Sequence, residues 1–363
     1  MNITIKKKTF LLLFFLFFCL FFLAGDEIDS EEEKEIRDLQ QKNGNGVLVS
    51  PILFYLPETR MAFGLAGNYV FRPGDATGKS KPSTISPVLI YTQNRQFKAL
   101  LCGDIYLEKE NYHLAVDLVF QEYPDKFFGI GAYAPDGLEE NFTPHIFGLA
   151  VSLLRKLKEH VGVGLLYDFS KFEMIESEAG KSLSQGDIPG SRGSFLSGVS
   201  LLLDVDSRDN IFFPVRGEYF KFTAQFYNKI FGSEYTFQSY RCDLRKYFSP
   251  FPNHVLALQS IVQTQTGVVP FHRLSRMGGQ YVMRGYYDGR FRDRNAVILQ
   301  AEYRLPLFWR LGAVGFVGAA DVAHRFRDFK FNNIKHSYGF GLRYLFNKHE
   351  KMYIRFDVGF GEG

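Results

Sequence analysis

What this sequence lacks narrows its class before any motif is considered. Beyond residue 25 no apolar run approaches the roughly 18 residues that a membrane-spanning helix needs, so a helical membrane bundle is excluded. Cysteine is scarce: Cys19 lies in an apolar leader, and strand alternation sends Cys102 and Cys242 to opposite faces, so no disulfide is expected. Excess charge is missing too. The formal +4 falls to +1 once Lys6, Lys7 and Lys8 are set aside, which is no nucleic-acid signature. The eight histidines show no metal-ligand spacing, and there is no Gly-x-Ser-x-Gly nucleophile turn. The run Gly74 to Ser80 resembles a phosphate-binding loop. However, Pro73 replaces its first glycine and Pro82 blocks the helix that must follow. Asp206-Ser207-Arg208-Asp209-Asn210 lacks the glycine and bidentate glutamate of a calcium loop, and is read as turn chemistry. No catalytic residue, metal or cofactor is expected.

What is present is aromatic and alternating. Phe and Tyr supply nearly all of the 17% aromatic content, with a single Trp. They recur at every second position, as suits strands with a lipid-facing side and aromatic girdles. Residues 1–25 open with three lysines, run from Phe10 to Leu23 without a charge and end on Ala24-Gly25, the pattern of a cleaved secretory signal. Residues 26–46 are acidic and polar, a short periplasmic lead-in. From residue 47 to 363 the chain reads as one outer-membrane β-barrel domain.

The strands are clearest towards the C-terminus. Over 295–306, Val297, Leu299, Ala301, Tyr303 and Leu305 oppose Gln300, Glu302 and Arg304; over 351–360, Ile354, Phe356, Val358 and Phe360 oppose Arg355, Asp357 and Gly359. About fifteen such segments are predicted: 47–56, 60–72, 84–94, 96–107, 111–121, 143–155, 159–169, 194–206, 215–228, 235–247, 253–266, 295–306, 310–321, 336–347 and 351–360. Periodicity alone does not say which face is inside. The secretion signal, the number of segments and the charges on the polar faces favour an all-β transmembrane antiparallel barrel of the 16-stranded type. Short connections (155–159, 206–214, 249–253, 307–310, 347–350) belong to the periplasmic rim. Long ones (171–193, 267–294, 323–335) belong to the outside, making 267–294 the sixth external loop.

That loop carries Val282-Met283-Arg284-Gly285-Tyr286, which resembles the Val/Ile-Arg-Gly-Tyr/Phe signature of the bacterial surface antigen family, the BamA/TamA type of barrel. Pro57-Glu58-Thr59, the Asp206–Asn210 turn with Pro214 and Gly217, and Ala301-Glu302-Tyr303-Arg304-Leu305-Pro306 resemble further family segments. The resemblance covers most of the chain after residue 47. It implies that Arg284 and Gly285 tuck into the barrel, with the arginine against inner-wall acids on the following strands; Glu302 and Asp321 are the candidates. A guanidinium in a confined lumen needs a carboxylate, and its planar fork suits two-point pairing.

By that resemblance the protein assists insertion or translocation of proteins at the bacterial outer membrane. Its partners would be outer-membrane lipids, unfolded outer-membrane protein clients and a separate periplasmic delivery partner, because residues 26–46 leave no room for the periplasmic modules such proteins carry. A porin-like channel or a passive structural barrel on the same fold is the alternative. One departure from the family stands at the C-terminus. Fifteen strands leave the first and last running the same way, so the sequence is expected either to lack roughly one strand of 9 to 11 residues or to show a gap or a strained parallel contact between 47–56 and 351–360.

Overall fold

The computed structural model of the protein describes residues 46–56, 60–73, 81–108, 110–134, 136–348 and 351–361. The expected signal and lead-in, the Pro57–Thr59 segment and the Gly74–Ser80 run lie outside these residues. One 16-stranded sheet dominates. Its strands are β1 (Gly46–Leu56), β2 (Arg60–Phe71), β3 (Ser83–Thr92), β4 (Phe97–Leu107), β5 (Tyr112–Glu122), β6 (Asp125–Phe127), β7 (Glu140–Lys158), β8 (Val161–Ser177), β9 (Ser194–Asp206), β10 (Gly217–Tyr227), β11 (Phe237–Phe248), β12 (Val255–Gly267), β15 (Asn295–Pro306), β16 (Leu311–Ala323), β17 (Lys335–Asn347) and β18 (Met352–Gly361). The numbers skipped are β13 (Ser275–Met277) and β14 (Phe291–Asp293), a separate hairpin inside the 267–294 loop.

Fifteen strands follow one another along a single path from β1 to β18, and the short β6 pairs β7 off that path. From β2 to β18 neighbouring strands along this path pair antiparallel. Among the described residues β1 and β18 make no pairing with each other. All fifteen predicted segments form, most within two residues of their expected ends. β7 and β8 are the exceptions, running to 19 and 17 residues where roughly 9 to 11 suffice to span a bilayer. β7 is three residues longer than expected at each end, and the extra length of β8 lies at its C-terminal end. There Lys171 and Glu173 pair at 2.5 Å, and His145 stands 3.6 Å from Glu173.

Burial settles the question of faces that alternation left open. On β8 Leu165 is 64% exposed while the alternate Asp168 is 7% exposed; on β16 Val317 is 58% exposed and Phe316 5%. The outward face is apolar and the charged side chains lie on the inward one, where aromatic and aliphatic residues join them, the inverse of a water-soluble sandwich and the arrangement of a transmembrane barrel. Cys102 and Cys242 are both unpaired.

The inner side is filled at its external end by loops. Phe127, Phe142, Phe172, Leu183 and Phe271 form one apolar cluster; Leu196, Tyr227, Phe237, Val269 and Leu274 form a second. A third joins Met277, Met283, Tyr286 and Phe291 of the 267–294 loop to Ile261, Ile298, Ala320 and Val322 of the wall. Burying these side chains inside a barrel fixes the loop in depth, since apolar burial contributes about 25 cal/mol per Å² without needing a directed partner.

Candidate functional site

The 267–294 loop leaves β12, crosses to β8, and returns to β15 and β18. Its first anchor is Arg273. The guanidinium donates to Asp168 Oδ2 (2.8 Å) and Ser170 Oγ (2.9 Å) on β8, and the Tyr227 hydroxyl donates to the same Asp168 carboxylate. His272 stacks on Phe172 at 4.2 Å and is hydrogen-bonded through Nε2 to Ser194 Oγ (2.8 Å). Burial, and then the guanidinium groups of Arg273, Arg292 and Arg276, hold its ring well below the usual histidine pKa, so it stays neutral. Burial also pulls Arg292 down to about 10. That side chain lies over the Phe127 and Phe271 rings (5.3 and 5.8 Å).

The second anchor is the turn around Arg284. Gly285 has φ +115°, and a Cβ there would lie 2.5 Å from the carbonyl carbon of Phe360; a Cβ on Gly359 would lie 2.7 Å from Gly285 N. The loop backbone therefore rests directly on the β18 backbone, and both positions require glycine. Met283 N–H donates to Gln300 Oε1 (2.7 Å), and the Tyr286 hydroxyl donates to the His336 carbonyl (2.8 Å). These contacts aim the arginine. Its guanidinium lies over the Phe316 ring (3.6 Å to the centroid), donating to Glu302 Oε2 on β15 (2.7 Å) and Asp357 Oδ2 on β18 (2.8 Å). The fork thus spans four neighbouring strands.

Two wall arginines share the same carboxylates. Arg304 donates to Glu302 Oε1 (2.8 Å), and the buried Arg343 donates to Asp357 Oδ1 (2.5 Å) and to Glu302 Oε2 (3.4 Å). Without the loop, this wall carries two cations and two anions and is balanced. Arg284 adds the third cation.

Of the four residues singled out in the sequence, the structure brings Arg284, Gly285 and Glu302 together and leaves Asp321 out. Asp321 stands an odd number of residues beyond Phe316, so it points to the opposite side of β16 and pairs across to Val297. Its carboxylate accepts the Val322 N–H (2.9 Å), and it makes no ion pair with Arg284. The second acid is Asp357, which belongs to the last strand, not to the strands immediately after the loop. Its place on the polar face of 351–360, two residues from Gly359, was the available signal.

The end of the barrel that carries the short connections has a crossing of its own. In the 207–216 turn, Asp209 Oδ1 accepts the Val215 and Arg216 N–H groups (2.9 and 3.1 Å), and Asn210 Oδ1 those of Phe212 and Phe213 (2.9 and 2.7 Å). This is the local turn chemistry read from the sequence. The turn is tied at one end through Asp206 to Lys81 Nζ (2.7 Å) and Arg208 Nε (2.8 Å). At the other, Phe213 packs on Tyr353 of β18 (4.1 Å) and the Pro214 carbonyl accepts from Arg304 (3.1 Å). Among the described residues no group of three or more His, Cys, Asp or Glu side chains could hold a metal ion.

No sequence among curated proteins matches this chain. The fold is similar to that of BamA from Haemophilus ducreyi lacking POTRA domains 1–3 (TM-score 0.54, 13% identity, 92% of this chain and 78% of that one). It is also similar to CdiB from Acinetobacter baumannii (TM-score 0.55, 11% identity, 88% of this chain), of which the chain spans 60%. At such identities the likeness is one of fold. Residues 91–360 match the Omp85 superfamily domain, and the chain, an outer-membrane type of β-barrel, belongs to the Omp85 superfamily.

Proposed function

We propose that this protein assists the insertion or translocation of proteins at the bacterial outer membrane, with Arg284, Gly285, Glu302 and Asp357 as the latch that seats the 267–294 loop in the lumen. The observation that carries this reading is the attachment of one loop to both β15 and β18 through a single guanidinium. A passive wall is already charge-balanced without it. The latch therefore adds a connection that can open at small electrostatic cost, which suits a barrel that must rearrange its last strand around a client. The partners in this reading are outer-membrane lipids, unfolded outer-membrane protein clients and a periplasmic delivery protein, and the protein reaches its membrane by secretion across the inner one.

A porin-like channel is the competing reading. The lumen argues against it, because loops pack its external end and the 207–216 turn is tied across its periplasmic end. Depletion of the protein followed by quantification of the outer-membrane proteome tests the proposal. Loss of particular barrels or surface proteins, with their unfolded forms accumulating in the periplasm, is expected. An unchanged proteome, together with a steady ion-selective conductance in planar bilayers, would replace it with the channel.

A further inference from the structure

Beneath the loop tip lies a cavity of about 320 Å³ whose charges do not balance. Five arginines line it, Arg241, Arg245, Arg284, Arg304 and Arg355, against two acids, Asp243 and Glu302. Both acids are already engaged. Asp243 takes Arg245 in two-point fashion (2.9 and 2.8 Å) and the Gln259 amide (3.0 Å), while Glu302 takes Arg284 and Arg304. Arg241 donates only to the neutral Gln263 Oε1 (3.0 Å), and Arg355 to the Gln280 carbonyl (2.8 Å) beside the Tyr281 ring. Neither has a carboxylate within ion-pair distance among the described residues. A guanidinium cannot shed its proton to escape this, so both remain cations facing a half-enclosed space.

We infer that this cavity is a binding site for a small polyvalent phosphate anion, held by Arg241 and Arg355 and favoured by the field of the other three arginines. Planar guanidinium forks match the oxygens of phosphate at two points. The cavity holds about ten times the roughly 30 Å³ that one water occupies in the liquid, enough for a diphosphate with its solvent and too little for a folded segment. The mouth is open, since Arg355, Gln280 and Tyr281 are all exposed. The inference goes beyond the proposed function and does not depend on it.

The test is equilibrium dialysis of the full chain, purified in an uncharged detergent, against labelled pyrophosphate at low ionic strength. Saturable binding is expected, weakened about tenfold in each of Arg241→Gln and Arg355→Gln by loss of a charge-assisted hydrogen bond, and unchanged in Arg327→Gln on an external loop. Pyrophosphate should also shield Arg241 and Arg355 of the unsubstituted protein from phenylglyoxal, read by mass spectrometry, an arm that needs no variant to fold. Non-saturable binding, affinity in both glutamine variants unchanged from the unsubstituted protein, or absence of shielding would overturn the site; binding of citrate but not pyrophosphate would overturn its assignment to phosphate.

Discussion

The two anchorages of the 267–294 loop are held by different physics. Around Phe271, Met277 and Phe291 the loop sits in aromatic and aliphatic clusters drawn from several other parts of the chain. At its tip, Arg284 sits among carboxylates and guanidinium groups that pair well enough without it. Apolar packing is non-directional and fixes how deep the loop lies; the ionic tip selects which strands it joins and is the part that can let go. The periplasmic turn is connected to the same network, since Arg304 holds both Glu302 and the Pro214 carbonyl. One side chain thus touches both the loop's ionic tip and the 207–216 turn.

If this division is right, damage to the packed end should cost most. Phe291→Ala removes a buried ring that touches Tyr286 (5.9 Å between centroids). It should lower stability by about 3–5 kcal/mol, measured by urea unfolding in detergent micelles. Arg284→Ala should cost less, about 2–3 kcal/mol. It forfeits two charge-assisted hydrogen bonds, yet Arg304 and Arg343 still neutralise the acids it leaves. The barrel should stay folded on a heat-modifiability gel while the loop becomes more sensitive to protease. A loop that unfolds as much in Arg284→Ala as in Phe291→Ala would erase the distinction between the two ends.

Smaller effects separate the acids. Asp357→Asn and Glu302→Gln should each lower stability by about 1–2 kcal/mol and raise protease sensitivity of the loop. Asp321→Asn, on the other face of β16, should leave the loop seated. A separate effect is that of pH on the packed end. His272 is held neutral in the folded protein, whereas in an unfolded chain it takes up a proton near pH 6.5, so stability is fully present above that pH and falls as pH drops below it, by at most about 1.4 kcal/mol per unit. His272→Phe should flatten the acid limb of a stability profile between pH 7 and 5. An unchanged slope would mean that other groups carry it.

Much of this architecture could be read from residue order alone, because a strand writes its two faces into alternate positions. Val297 to Leu305 and Ile354 to Phe360 announce their strands without help from anything distant. The Arg284–Gly285 pair was legible through its motif, and Glu302 through its place on a polar face. What escaped was set by contacts between segments far apart in the chain. The three-residue strands β6, β13 and β14 have too few positions to show a period. The long β7–β8 hairpin continues beyond its expected end through pairs such as Phe147–Lys171 and His145–Glu173, charged positions at which an alternation of apolar residues no longer marks a strand. Asp357 is reached only through barrel closure, 73 residues beyond Arg284, whereas Asp321, nearer in sequence, has the opposite parity to the inward Phe316 and turns away from the lumen.

The central claim is that a single arginine ties the loop to the last strand through Asp357. Its most direct test is a double-mutant cycle between Arg284→Ala and Asp357→Asn, followed by urea unfolding of the full chain. The account expects the double variant to be more stable than the two separate losses imply, with a coupling energy of about 1 kcal/mol or more, within the usual range for residues in one ionic network. Losses that simply add would mean that Arg284 and Asp357 act independently, and the latch as described would not exist.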